Sequence, residues 1–199
     1  TDGSKDNPFM INSNDKFNKF IFALSKDEYH GAGFYFKQTA SFQWSNDEQN
    51  DGEGLASQYF AGNYNGDNFY LSDVVVNGKN EAGIFKQLIN GATISNLKIN
   101  NISISNGENL GAIAGFAKNT VKLSHINISG NISGSNNIGG LIGSCAYGYI
   151  YMDNINMGAS ISGTKNIGGA IGYLNCYCSV DKFTTTSSFR VGSVNVSVS

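Results

Sequence analysis

Asp153 and Asp181 are the carboxylates best placed to act together in this 199-residue chain, because their separation of 28 matches a spacing that returns throughout the sequence. On a scaffold repeating at that period they become neighbours in an outward column that reads Ser95, Ser124, Asp153, Asp181. Clustered carboxylates on one face serve hydrolase or lyase chemistry, often with calcium, and a cation or Lys182 would ease their mutual repulsion. Calcium takes about six to eight oxygen ligands, and Asn154 is the one obvious addition to the pair. A solvated acidic pair is therefore the favoured reading, with calcium the single cofactor left open. His30 and His125 have no Ser or Cys partner at a useful spacing, so a nucleophilic triad is not expected and no catalytic residue is assigned. The three cysteines, Cys145, Cys176 and Cys178, cannot all pair, and they lack metal-finger spacing. Cys176 and Cys178 share a face on a strand. Partly buried or free thiols are the expectation, ahead of a redox or metal role.

Aromatic residues offer binding chemistry instead. Tyr147, Tyr149 and Tyr151 alternate strictly with residues that include Ile150, and Ile150 and Met152 take inward positions. The tyrosines then face outward together, near Tyr173 and Tyr177 of the next repeat, as a strip that could stack on sugar rings or meet a protein partner. The competing reading is a flanking segment packed over them. Trp44, beside the acidic segment Ser45 to Gly54, is a second candidate for ligand contact.

The elements that must position these side chains are repeats. A small-residue phrase occurs four times, as Glu81-Ala-Gly-Ile-Phe-Lys86, Leu110-Gly-Ala-Ile-Ala-Gly115, Ile138-Gly-Gly-Leu-Ile-Gly143 and Ile167-Gly-Gly-Ala-Ile-Gly172. Aligning Gly83, Ala112, Gly140 and Gly169 gives intervals of 29, 28 and 29 residues. The motif glycines are Gly83, Gly111, Gly115, Gly139, Gly140, Gly143, Gly168, Gly169 and Gly172. Asn80, Asn109, Asn137 and Asn166 form a column just before the phrase, where stacked amides can bond along an axis and tolerate left-handed geometry. Behind it, Ile94, Leu97 and Ile99 answer to Leu123, Ile126 and Ile128, then to Met152, Ile155 and Met157, then to Val180, Phe183 and Thr185. Steps of two are strand alternation, and the step of three marks a bend. The fold class is therefore all-β, a parallel β-helix of about 28–29 residues per coil.

Residues 1–58 precede the repeats, which fill 59–199. Phe17, Phe20, Ile21 and Leu24 predict an amphipathic helix over about 14–24, capped by Ser13 or Asn14 and covering the open end of the first coil. A first strand is expected within Gly33 to Phe42, with Phe34 and Phe36 directed inward and Phe42 a further inward candidate. At the other end Val191, Val194, Val196 and Val198 alternate without a cap, and continuation into flanking domains is the expectation.

Charged residues are only 14% and net charge is -2, which gives no reason to expect nucleic-acid binding. No apolar run is long enough to insert in a membrane. No secretion signal opens the sequence, so export would place Thr1 within a mature chain. A regular threonine array for ice binding is missing, since the outward column reads Lys98, Asn127, Asn156, Thr184.

Gly139-Gly140-Leu141-Ile142-Gly143 resembles the repeat of the GLUG-motif family of bacterial surface proteins. Asn7-Pro-Phe-Met-Ile-Asn-Ser13 resembles that family's entry into a capping helix, and Phe60-Ala-Gly-Asn-Tyr-Asn-Gly66 its segment before the first coil. The likeness spans about residues 7–174, with departures at Gln38 to Trp44 and at Lys86, which stands where the motif has glycine. It implies a right-handed β-helix on an exported bacterial protein, extracellular or at the cell surface, of the kind found in adhesins and some large peptidases. It supplies no catalytic residue. The expected function is a non-catalytic module for adhesion-like binding, to a glycan or a host or matrix protein, or for structural display. The alternative is a carbohydrate-active or peptidase-associated domain of a larger secreted enzyme.

Overall fold

The computed structural model describes residues 1–45, 58–77 and 80–191. Most of the acidic segment at 45–54, and the valines at 194, 196 and 198, lie outside the described residues.

Strand β1 (Phe9–Ile11) leads into helix α1 (Asn14–Lys26), after which the chain winds through six coils. The first holds β2 (Tyr35–Gln38) and β3 (Phe42–Ser45). The second holds β4 (Tyr59–Phe60), β5 (Asn63–Asn65), β6 (Tyr70–Asn77) and β7 (Asn80–Ala82). The third holds β8 (Phe85–Leu88), β9 (Thr93–Ser95), β10 (Lys98–Ser105) and β11 (Glu108–Leu110). Thereafter strands run through the bends: β12 (Ala114–Ser133) with β13 (Asn136–Gly139), β14 (Ile142–Gly163) with β15 (Lys165–Gly168), and β16 (Ile171–Thr185) with β17 (Phe189–Val191). Each strand pairs in parallel with its counterpart one coil away, giving one 13-stranded and one four-stranded sheet. The protein is a parallel β-helix.

The expected inward columns are present in register: Ile94, Leu123, Met152 and Val180; Ile126, Ile155 and Phe183; Ile128, Met157 and Thr185. Stacked about 4.8 Å apart, like side chains pack on like, and the buried core runs unbroken from α1 to Ile161. The step of three falls on Asn96, His125, Asn154 and Lys182, whose φ angles of 51°, 53°, 54° and 52° turn the chain from one face to the next.

The phrase aligns differently from expectation in its first copy. Ala82 faces Leu110, Leu110 faces Ile138 and Ile138 faces Ile167, so the intervals there are 28, 28 and 29. Gly83 lies between this register and the one at Phe85, which faces Ala114 at an interval of 29. Asn80 likewise leaves the asparagine column: it faces Glu108, and the left-handed position is held by Glu81, Asn109, Asn137 and Asn166. The amides of Asn166 and Asn137 donate to the Oδ1 of Asn137 and Asn109 at 2.7 and 2.8 Å, an axial ladder that leaves few corner groups unsatisfied. The last glycine of the later three phrases supplies space rather than a turn. A Cβ at Gly143 would stand 2.2 Å from the Asn109 carbonyl carbon, and one at Gly172 2.5 Å from that of Asn137. Only glycine lets the backbone close on the corner.

Helix α1 caps the first coil as its pattern predicts. Ser13 Oγ accepts from the Lys16 N–H, and Phe17, Phe20, Ile21 and Leu24 are buried. At its end the Asp27 carboxylate accepts from the N–H groups of Tyr29 and Gly31, turning the chain away. Strand geometry ahead of the coils departs from expectation: β1 pairs with β2, so the first strand begins at Phe9. Phe34 is exposed, because the left-handed Gly33 precedes it and its ring packs on Phe9 at 5.7 Å. Phe36 and Phe42 do pack against the core. Gln38 is fully buried, donating to the carbonyls of Ala40 and Tyr70 and accepting from Tyr64 Oη at 3.2 Å. Burial pushes the Tyr64 phenol far up, which keeps it a neutral donor. Among the described residues no helix is long and apolar enough to cross a membrane.

Candidate functional site

Two outward rows meet on the face between the left-handed bends. Thr120, Tyr149 and Tyr177 form one, and Lys122, Tyr151 and Ser179 the other. The intervening Ile150 and Met152 are buried and fix the orientation of the strand. Tyr149 stacks on Tyr177 at 5.2 Å between centroids with planes 19° apart, and on Tyr151 at 6.2 Å and 17°. All three rings are exposed, Tyr177 at 71%. Nearly parallel rings anchored on paired strands make a platform that is already ordered before any ligand arrives, which lowers the entropic cost of binding.

Tyr147 and Tyr173 are placed apart from these three. Tyr147 is 77% exposed at a φ of 58°, followed by Gly148 at 94°. It is one residue more than β12 has at this point, since Lys118 faces Ala146 while Asn119 faces Gly148. One coil earlier the same corner carries an amide ladder from Asn119 to Asn90; Tyr147 interrupts it and projects into solvent. Tyr173 lies on the preceding face in register with Ser144.

Trp44 is not a ligand contact. It is 1% exposed, its Nε1 donates to Asn18 Oδ1 at 2.8 Å, and it stands edge-on to Phe17 at 5.0 Å. It belongs to the seam between α1 and the first coil. Asp153 and Asp181 are in register on adjacent coils. Among the described residues no group of three or more His, Cys, Asp or Glu side chains converges there or elsewhere. His30 stacks edge-on to Tyr59 at 5.1 Å, and His125 is exposed at its bend.

The cysteines correct the expectation of free thiols. Cys145 and Cys176 form a disulfide across a Cα–Cα distance of 6.1 Å, leaving Cys178 as the free thiol among the described residues. In register Cys145 faces Leu174. The two cysteines are separated by 31 in sequence, not by a whole coil, so the bridge reaches past the register partner of Cys145. Half-burial pushes the Cys178 thiol up, making it a weak nucleophile toward the neighbouring disulfide.

A further surface feature lies past the Asn154 bend. It is an open groove of about 410 Å³ along β10, β12 and β14, whose walls include Tyr70, Lys98, Asn127 and Asn156. Those last four residues are in register along the axis. The sequence gives little signal for it, because asparagine and serine are common on every face.

No protein-family model matches the chain, and no curated protein matches it. Among solved structures, it is similar to one from Bacteroides ovatus described as a "putative immunoglobulin A1 protease". The TM-score is 0.53 at 16% identity, with 94% of this chain and 69% of that chain covered. Identity this low speaks to architecture alone. What the chain shares with that protein is the β-solenoid fold.

Proposed function

We propose that this chain is a non-catalytic, exported β-helical module and that the Tyr149–Tyr151–Tyr177 platform is its recognition surface, with glycan rings as the preferred ligand and a matrix protein as the other candidate. The observation that carries this reading is the near-parallel stacking of three exposed tyrosines on a rigid sheet. Sugar rings present apolar C–H faces that stack on aromatic faces, while tyrosine hydroxyls remain free for hydrogen bonds at the rim. The Cys145–Cys176 bridge supports export, since disulfides persist in oxidising compartments. A GLUG-type surface repeat is consistent with the glycine-against-corner packing at Gly143 and Gly172.

A glycan and matrix-protein panel tests this with the wild type, Tyr149→Ala and Tyr151→Ala. Each substitution is expected to weaken the bound ligand by about tenfold, the loss of roughly 1–2 kcal/mol of stacking. Unchanged binding would remove the platform from consideration.

A second reading draws on the fold similarity to the Bacteroides ovatus protein: the module would hold substrate for a larger secreted hydrolase. In that case Asp153 and Asp181 are the residues to test, with calcium as a candidate ligand. Glycan turnover that disappears in the Asp153→Ala/Asp181→Ala double variant would favour an enzyme over the binding module.

A further inference from the structure

The groove beyond the Asn154 bend has chemistry that the fold does not use. Several asparagines at the corners are committed to the scaffold, as in the ladder from Asn166 to Asn109. Asn127 and Asn156 are different. Both are exposed, in register, and their amides have no hydrogen-bond partner among the described residues. Each offers two donors and an acceptor, the complement of neighbouring hydroxyls on a sugar ring.

Lys98 stands next in the same row, facing Asn127 on one side and Tyr70 on the other. Its ammonium lies 5.4 Å from the centroid of the Tyr70 ring, which holds the side chain over the groove. Among the described residues no carboxylate lies within salt-bridge reach of it, as for most of the lysines, but this one is held in place by a ring. A positioned cation without a counter-ion is a site for an anionic group.

Gly158 gives the third observation. The parallel row Ser72, Asn100 and Ser129 continues to it. A Cβ there would meet nothing closer than the Ile128 carbonyl and the Thr186 hydroxyl, both at 3.4 Å, and the residue is not left-handed. The backbone therefore does not require glycine at this position, unlike Gly143. The missing side chain leaves the groove open beside the Asn156 amide.

We infer that this groove binds an acidic oligosaccharide, with a sugar carboxylate or sulfate on Lys98 and ring hydroxyls on Asn127 and Asn156. With coils about 4.8 Å apart, the row from Tyr70 to Asn156 extends about 14 Å along the axis, room for several sugar units. This surface lies on a different face from the tyrosine platform and stands or falls independently of it.

Calorimetric titration of the purified chain with tri-galacturonate, a heparin-derived tetrasaccharide and neutral maltotriose tests the inference. Both anionic probes are to be compared with maltotriose, and the tighter of the two identifies the anion. Lys98→Gln is expected to weaken the anionic probe about tenfold or more, as befits a lost charge-assisted bond, and to flatten its salt dependence. Gly158→Val should block it, and Tyr149→Ala should leave it unchanged. Lys98→Gln alters an outward side chain, so the test holds even if Gly158→Val folds poorly. Failure of both anionic probes to bind, binding by Lys98→Gln equal to wild type, or loss of binding in Tyr149→Ala would each overturn the assignment.

Discussion

Ile126→Asp is expected to unfold the coils on either side of it. Ile126 is 0% exposed and stacks in register on Ile155. Losing the aliphatic side chain removes roughly 1.5–3 kcal/mol of burial. The new carboxylate would sit among Leu97, Ile128 and Ile155 with no partner, at a further cost of several kcal/mol. Domains are commonly stable by only about 5–15 kcal/mol. Solenoid stability resides in nearest-neighbour interfaces, so damage in one coil strips support from the next. Circular dichroism and limited proteolysis should report loss of β structure and cleavage near residue 126. Ile126→Val, which leaves the column apolar, should cost only about 0.5–1.5 kcal/mol and keep the fold. A fully folded Ile126→Asp variant would contradict the register of the core.

Removing the disulfide is expected to have the next largest effect, concentrated at the C-terminal coil. The bridge closes a loop with a sequence separation of 31, for which chain-entropy reasoning gives about 3–4 kcal/mol. That coil needs the staple more than the others. Its inward-column residues Leu174 and Val180 are 53% and 49% exposed, whereas their partners Cys145 and Met152 are buried. Among the described residues β16 and β17 pair with β14, and the covalent link adds to that pairing. In a Cys145→Ala/Cys176→Ala variant, amide exchange in 171–191 should accelerate by two orders of magnitude or more, as about 3 kcal/mol implies. Amides around Ile126 should keep their protection. Equal exchange with and without the bridge would show that the coil is held by its strand pairing alone.

The columns were legible because a coil that stacks on itself makes the sequence nearly self-similar. Leu123, Met152 and Val180 could be aligned by spacing alone, and the helix was announced by Phe17, Phe20, Ile21 and Leu24 following Ser13. Errors arose where a residue is inserted within a repeat. From the second coil to the third the register is 28 at Ala82, and from the third to the next it is 29 at Phe85, so the insertion lies inside the glycine phrase itself. Spacing cannot say on which side of it Gly83 belongs, which also misplaced Asn80. The disulfide was hidden because its separation of 31 is neither 28 nor 29, so spacing pairs Cys145 with Leu174 and not with Cys176. Trp44 was misread because its partner Asn18 lies in the cap, 26 residues away, and no periodicity links them. In the candidate site, the outward alternation of Tyr149 and Tyr151 was readable, but the pairing of Tyr149 with Tyr177 needed the register. The groove was not readable at all. Its two unused amides are distinguishable from the structural ones only by their hydrogen bonds.

Both proposed binding surfaces lie where the repeat departs from itself: a tyrosine pair replaces the Thr120 and Lys122 of the preceding coil, and Gly158 succeeds Ser129. The scaffold columns are filled and satisfied, so recognition is left to these substitutions. The measurement that tests this most directly is a titration followed by NMR, reading the tyrosine ring protons with the glycan that binds in the panel. Ring-current shifts concentrated on Tyr149, Tyr151 and Tyr177, with Tyr64 and Tyr173 unmoved, are the predicted result. Saturable binding of a neutral glycan that leaves those three rings unshifted would contradict the account, whereas shifts confined to Tyr70 with an acidic glycan would report the separate groove.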